Sequence, residues 1–154
     1  MQQLALSMVV LSGLAAMLSQ PVMAQSADAQ EEIDCDQALT TIEVNYCAAL
    51  DLEAAEAVMA EYLQASQDRY AHDATVLQSI DTAQDTWLIY RAAHCDSVFE
   101  VWRTGTIRTL MWLECSIELT QQRTFDLWHS FLTYADSTPP LLPEPIPNEP
   151  LSDL

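Results

Sequence analysis

The sequence has no lysine and only five arginines, against 23 Asp and Glu, so its 154 residues carry a formal net charge of −18. A surface of that sign repels a phosphate backbone, which excludes direct nucleic-acid binding as the main activity. Glycine is nearly absent, with 2 residues, and no stretch alternates apolar with polar residues. Hairpin-built sandwiches and barrels use glycine in their tight turns and are excluded with it. There is no Gly-rich phosphate loop, no G-x-S-x-G elbow, no H-E-x-x-H zinc pair and no C-x-x-C knuckle. His72, His94 and His129 are scattered, and carboxylates are too abundant here for their pairing to signal acid–base chemistry. The reading is therefore not an enzyme, with no catalytic residue, cofactor or metal expected. Half of the chain is nonetheless hydrophobic, which an acidic disordered chain lacks. One all-α domain is the expectation.

Compartment decides how the cysteines are read. Leu4 to Leu18 form an apolar run too short for a membrane span, followed by Val22 and Ala24 at positions that suit a signal-peptidase cut after Ala24. Residues 1–24 are thus expected to be a signal peptide, although Met1-Gln2-Gln3 lacks the usual basic charge, with an uncleaved amino-terminal anchor as the alternative. Once cleaved, the chain keeps no membrane anchor and is periplasmic or secreted. All four cysteines, Cys35, Cys47, Cys95 and Cys115, follow that cut. An even count in a small exported domain favours two disulfides.

Residues 25–34 are polar and read as a flexible amino terminus. Residues 35–134 read as the folded domain, an up-down three-helix bundle. Helix one begins at a capping box, Thr40-Thr41-Ile42-Glu43, with Leu39 and Val44 placed as a hydrophobic staple. Val44, Ala48, Ala55, Met59 and Tyr62 then recur at helical spacing until the helix fades near Gln67 to Arg69. Helix two carries Val76, Ile80, Ala83, Trp87, Tyr90 and His94 as an apolar stripe. Gln84 and Arg91 flank that stripe, and Arg91 is expected to pair with a helix-one carboxylate, Glu43 or Asp51. Asp96 to Thr106 reads as a connection with Gly105 in it. Helix three, Ile107 to Phe131, is apolar on opposite sides, as a central helix or a homodimer face would be. Six of the seven prolines follow Tyr134. Residues 135–154 are therefore expected to be a disordered, solvated, acidic Pro-rich tail of extended backbone.

Helix levels bear on the disulfides. If helix two ends at Cys95, that residue lies at the top of the bundle beside Cys35. Cys47 and Cys115 then lie about 10 and 13 Å down. Equal levels favour Cys35–Cys95 and Cys47–Cys115, with Cys35–Cys47 and Cys95–Cys115 as the alternative.

The ordered motifs carry a resemblance. They are Glu43-Val44-Asn45-Tyr46-Cys47-Ala48; Ala83-Gln84, Trp87, Tyr90-Arg91-Ala92-Ala93 and Cys95; Thr104-Gly105-Thr106; and Cys115, Leu119-Thr120 and Arg123. This pattern, from about Cys35 to Leu127, resembles the lysozyme-inhibitor LprI-like amino-terminal domain family of exported bacterial proteins. Val44 stands where the family pattern has Met, and Thr104-Gly105-Thr106 where it has G-G-S. The lipid-accepting cysteine of the family's name-giving member is absent. The resemblance implies a disulfide-linked helical domain outside the cytoplasm and, for at least one member, inhibition of lysozyme by protein–protein contact. Thr40, Glu43, Gln84, Trp87, Tyr90, Arg91, Gly105, Thr120 and Arg123 are its structural signature here, and they read as scaffold.

The charge independently favours a basic protein partner, such as lysozyme or another cell-wall hydrolase. Asp51, Glu53, Glu56 and Glu61 on helix one are candidates to face it. The alternative is a structural or assembly module of the cell envelope acting through helix three or the Pro-rich tail.

Overall fold

The computed structural model describes residues 33–146. The expected signal peptide and its cleavage site, nearly all of the polar stretch 25–34 and the last eight residues of the tail lie outside the described residues. Within them the chain forms a short 3-10 turn, Cys35–Gln37, and three helices, α1 (Thr41–Arg69), α2 (Ala74–Val101) and α3 (Arg108–Leu127). A single π-helical turn, Trp128–Leu132, continues α3. No strand occurs among the described residues.

The start of α1 follows from its capping box. The Thr40 hydroxyl accepts the Glu43 N–H at 3.2 Å, and the Glu43 carboxylate accepts the N–H groups of Thr40 at 2.8 Å and Leu39 at 3.0 Å. The expected staple does not form. Leu39 is 90% exposed, because its backbone is held outward by that same carboxylate rather than folded over Val44. Asp73 caps α2 by accepting the N–H groups of Thr75 and Val76. At the far end of α1, Arg69 donates to the carbonyls of Phe131 at 2.6 Å and Thr133 at 2.9 Å. A cation there satisfies carbonyls that the end of the α3 segment leaves free.

The helices run up, down and up, and α3 is central. It packs extensively on α1 and also on α2, whereas α1 and α2 barely meet. The α1 face is the expected one: Ala48, Ala55, Met59, Tyr62 and Ser66 are buried. Facing helices carry small hydroxyl residues, Ser66 on α1 and Ser116, Thr120 and Thr124 on α3, all buried. Each hydroxyl donates to the carbonyl four residues back. Its polarity is thereby met within its own helix, and it can sit in a close interhelical seam without an unpaired donor.

Three expectations are corrected. First, α2 does not end at Cys95 but continues to Val101, since nothing in Asp96-Ser97-Val98-Phe99-Glu100-Val101 breaks a helix. Second, α2 is turned about its axis relative to its apolar stripe. Ile80, Gln84 and Cys95 are buried, and Trp87 and Arg91 are half-buried. Ala83, Tyr90 and His94 face outward, with the Tyr90 and His94 rings stacked 5.5 Å apart.

Third, the disulfides are Cys35–Cys47 and Cys95–Cys115, with Cα atoms 5.6 and 5.7 Å apart, not Cys35–Cys95 and Cys47–Cys115. The two discrepancies share a cause. Six further helical residues, 96–101, put Cys95 about 9 Å below the top of α2, near the level of Cys115. Cys35 is left to fold back on Cys47 through the 3-10 turn. Shorter loops mean that each bridge contributes about 3 kcal/mol on the chain-entropy model.

The Pro-rich segment also departs from expectation in its first part. Most of residues 135–146 are exposed, but 141–143 are tied to the bundle. Leu142 packs against the apolar cluster of Met59, Tyr62, Leu127, Trp128 and Leu132, and three hydrogen bonds hold the backbone of Leu141 to Pro143.

Candidate functional site

Apart from Tyr90, the signature residues of α2 and α3 come together on the α2–α3 seam. Arg91 reaches across the bundle, donating through Nη1 to the Thr120 hydroxyl at 2.7 Å and through Nη2 to Glu56 of α1 at 2.6 Å. Its guanidinium lies 5.1 Å from the centre of the Trp87 ring. One turn along, Arg123 donates through Nε to Gln84 Oε1 at 3.0 Å, and Gln84 in turn points its amide N–H at Met59 Sδ, 3.7 Å away. Burial lowers the Arg123 pKa, offset in part by the carboxylate of Asp126. Its Nη2 is buried with no partner among the described residues, as is Asn45 Oδ1.

Five signature positions, Gln84, Trp87, Arg91, Thr120 and Arg123, thus build a polar staple that joins all three helices. A guanidinium is suited to this because it stays charged and offers several donors in fixed directions.

Arg91 does pair with a helix-one carboxylate, but the partner is Glu56 rather than Glu43 or Asp51. Helical phase explains the choice. Glu56 lies eleven residues before Gln67, about 20° away in projection. Gln67 donates to Asp81 of α2 at 2.7 Å, which marks that side of α1 as the one facing α2. Glu43 and Asp51 lie on other sides, and Glu43 is committed to the cap, whose N–H donors and Thr40 hydroxyl hold its carboxyl below the usual value. Periodicity located the carboxylate class; the residue follows from the phase of Gln67, whose bond to Asp81 only the folded bundle supplies.

The remaining signature positions are dispersed. Thr40 and Glu43 form the α1 cap. Gly105 closes the α2–α3 turn by donating its N–H to Trp102 O at 2.8 Å. Tyr90 is on the surface. Below the turn, the Trp112 indole donates to Asp96 at 3.0 Å, so the Cys95–Cys115 bridge has a hydrogen bond beside it.

Electrostatics separates the inside from the outside. Arg69, Arg91 and Arg123, three of the five arginines, are spent on internal partners. Arg103 and Arg108 border the α2–α3 turn. The carboxylates of Asp51, Glu53 and Glu61 remain exposed along α1, while Glu56 is withdrawn into the Arg91 pair. No group of His, Cys, Asp and Glu able to hold a metal occurs among the described residues, and no helix among them is long and apolar enough to cross a membrane. The arrangement is a braced scaffold under an acidic surface, suited to presenting charge to a partner.

Comparison with known proteins finds a family and a relative. The family model described as "Lysozyme inhibitor LprI" matches residues 34–127, from the 3-10 turn to the end of α3. An uncharacterized protein of Rhizobium meliloti (strain 1021) is 31% identical over 109 residues, covering 64% of this chain and 78% of the relative. No solved structure matches the chain.

Proposed function

Since this chain belongs to the lysozyme inhibitor LprI family, we propose that it is an exported, non-enzymatic protein that binds and inhibits a basic cell-wall hydrolase such as lysozyme. The observation that carries this reading is the pairing of family membership with the fate of the cations. With Arg69, Arg91 and Arg123 bound internally, a chain of net charge −18 turns an almost wholly acidic exterior to its surroundings, and such a field speeds encounter with a basic partner. The exposed carboxylates of α1, Asp51, Glu53 and Glu61, supply the contacts. Export after a cut at Ala24 places the protein in the periplasm or outside the cell, where its two disulfides persist.

The test is lysozyme activity on cell-wall substrate, titrated with the oxidised protein from Gln25 onward at low and moderate salt. An unrelated protein of similar negative charge serves as control. Saturable inhibition that outlasts moderate salt and falls when Asp51, Glu53 and Glu61 are changed to Asn and Gln is the expected result. Inhibition matched by the acidic control, or none, overturns the reading.

A further inference from the structure

The family match stops at Leu127, but the apolar cluster at that end of the bundle continues past it. Trp128 and Leu132 join Met59, Tyr62 and Leu127, and Leu142 packs on them from the Pro-rich segment. The segment is held by its backbone. The Leu141 N–H donates to Leu132 O at 2.9 Å, the Trp128 indole donates to Leu142 O at 3.0 Å and the Tyr62 hydroxyl donates to Pro143 O at 2.8 Å. This is the chemistry by which proline-rich peptides are read. Proline has no N–H, so its segments offer carbonyls as their backbone handle, and an aromatic groove with an indole and a phenol donor meets them. Leucine in the apolar cluster adds side-chain selection. Residues 134–141 are exposed, and the hydrogen bond in their midst is local, from Thr138 N to Asp136 at 2.9 Å. The strap can therefore leave while every helical hydrogen bond stays in place.

We propose that this groove, floored by Met59, Tyr62, Leu127 and Trp128, is a binding site for a proline-rich segment of a partner protein, with Leu-Pro at its centre and neutral or basic flanks. The chain's own strap is its intramolecular occupant. Charge selects the partner. The strap places Glu144 next to Pro143 on a chain of net charge −18, so it docks against general repulsion, whereas a basic segment is attracted. Of the carboxylates assigned to hydrolase binding, Glu61 acts on the Tyr62 hydroxyl of this groove, whereas Asp51 and Glu53 lie about 13 Å or more away along α1.

Two measurements on the full chain decide it. In the native protein, hydrogen exchange at the Leu141 amide and the Trp128 indole is expected to run at least tenfold faster than at the Thr124 amide in α3, because the strap opens without global unfolding. Exchange of all three in step overturns the proposal. The second measurement uses the Leu142→Asp chain, whose own strap cannot seat its side chain. A labelled peptide of residues 139–147 with lysine at the Glu144 position is expected to bind it saturably in fluorescence anisotropy. Binding is expected to be at least tenfold weaker to the native chain, where the strap competes, and weaker again when Tyr62→Phe is added to the Leu142→Asp chain. Absence of saturable binding overturns the proposal. So does loss of helical structure in Leu142→Asp, because removing a ligand leaves its receptor folded.

Discussion

The two seams of α3 are built on different principles. Against the lower half of α1, α3 and its π-helical turn bury Leu127, Trp128 and Leu132 beside Met59 and Tyr62, and apolar burial holds them. Against α2, the same helix meets a polar staple, Gln84–Arg123 and Arg91–Thr120, with a disulfide above it. On α2 the buried residues are only Ile80, Gln84 and Cys95, too little apolar surface to fix the helix by burial. Directed bonds and one covalent link replace it. Apolar contact tolerates small slips, whereas a guanidinium bound to a hydroxyl and a carboxylate specifies both rotation and level. That difference explains why the signature residues cluster on the α2 side: they specify where a weakly buried helix sits.

The largest effect should come from the apolar seam. Leu127 is fully buried, and Leu127→Ala removes its contacts and leaves a cavity, for a loss of about 3–4 kcal/mol in denaturant unfolding. That is a substantial part of a small domain's stability. Removing the Cys95–Cys115 bridge as the double Cys→Ala variant is expected to lower stability by about 3 kcal/mol, with a different signature. Amide exchange should rise along α2 first while α1 and α3 stay protected. Equal loss of protection in all three helices would show that the seams are not separable.

Arg91→Met sharpens the same comparison. It removes the bonds to Thr120 and Glu56 but keeps most of the side-chain volume, and the expected loss is about 1.5–2 kcal/mol, set by the charge-assisted bond to the buried hydroxyl. Glu56→Gln should cost less than 1 kcal/mol, because the carboxylate is partly in water, 42% exposed, and screened there. A larger effect for Glu56 than for Arg91 would mean that the ion pair, rather than the Thr120 bond, orients α2.

These two seams also mark what the sequence made legible. The cap at Thr40 and Glu43, the buried face of α1 and the central place of α3 follow from hydrogen-bonding chemistry and apolar period, and they are found as expected. The rotation of α2 does not follow from period. Tyr90 and His94 look more apolar than Gln84 and Arg91, yet they face outward because the latter have partners on α3 that only the folded bundle supplies. The disulfide pairing depended on one boundary. Ending α2 at Cys95 rather than Val101 moved a cysteine about 9 Å along its helix axis and reversed the choice. The docked strap was hidden for another reason: a proline-rich stretch reads as solvated until a Tyr62 hydroxyl and a Trp128 indole are found opposite its carbonyls.

A pH titration isolates the strap from both seams. Burial, with the charge of Glu61 behind it, raises the pKa of Tyr62 above its ordinary value of 10. The neutral phenol is thus the form that the folded state favours. Its contribution is complete below pH 10 and is lost as the pH rises through the elevated folded-state pKa, for about 1 kcal/mol from the bond to Pro143. Trp128 fluorescence should report release above pH 10 with helical circular dichroism unchanged, and Tyr62→Phe should abolish the step. Loss of helix at the same pH would show that the strap and the apolar seam unfold together.

The smallest expected effect is a coupling at the opposite end of the bundle, where neither seam acts. Thr40→Ala removes one half of the capping box and should lower stability by about 1 kcal/mol. The other half titrates: the N–H groups of Thr40 and Leu39 hold the Glu43 carboxyl below 4.5, so its contribution is present above that pH and is lost as the pH falls through the lowered value. The Cys35–Cys47 bridge already ties the chain just before the cap to the second turn of α1, which limits how far an uncapped end can fray. Thr40→Ala should therefore matter more after both cysteines are changed to Ala than in the oxidised chain, by a few tenths of a kcal/mol or more. The coupling is read by a double-mutant cycle on thermal unfolding. Strict additivity would show that the bridge holds the 3-10 turn without bracing the helix it precedes, and would confine its role to the surface around Leu39 and Ile42.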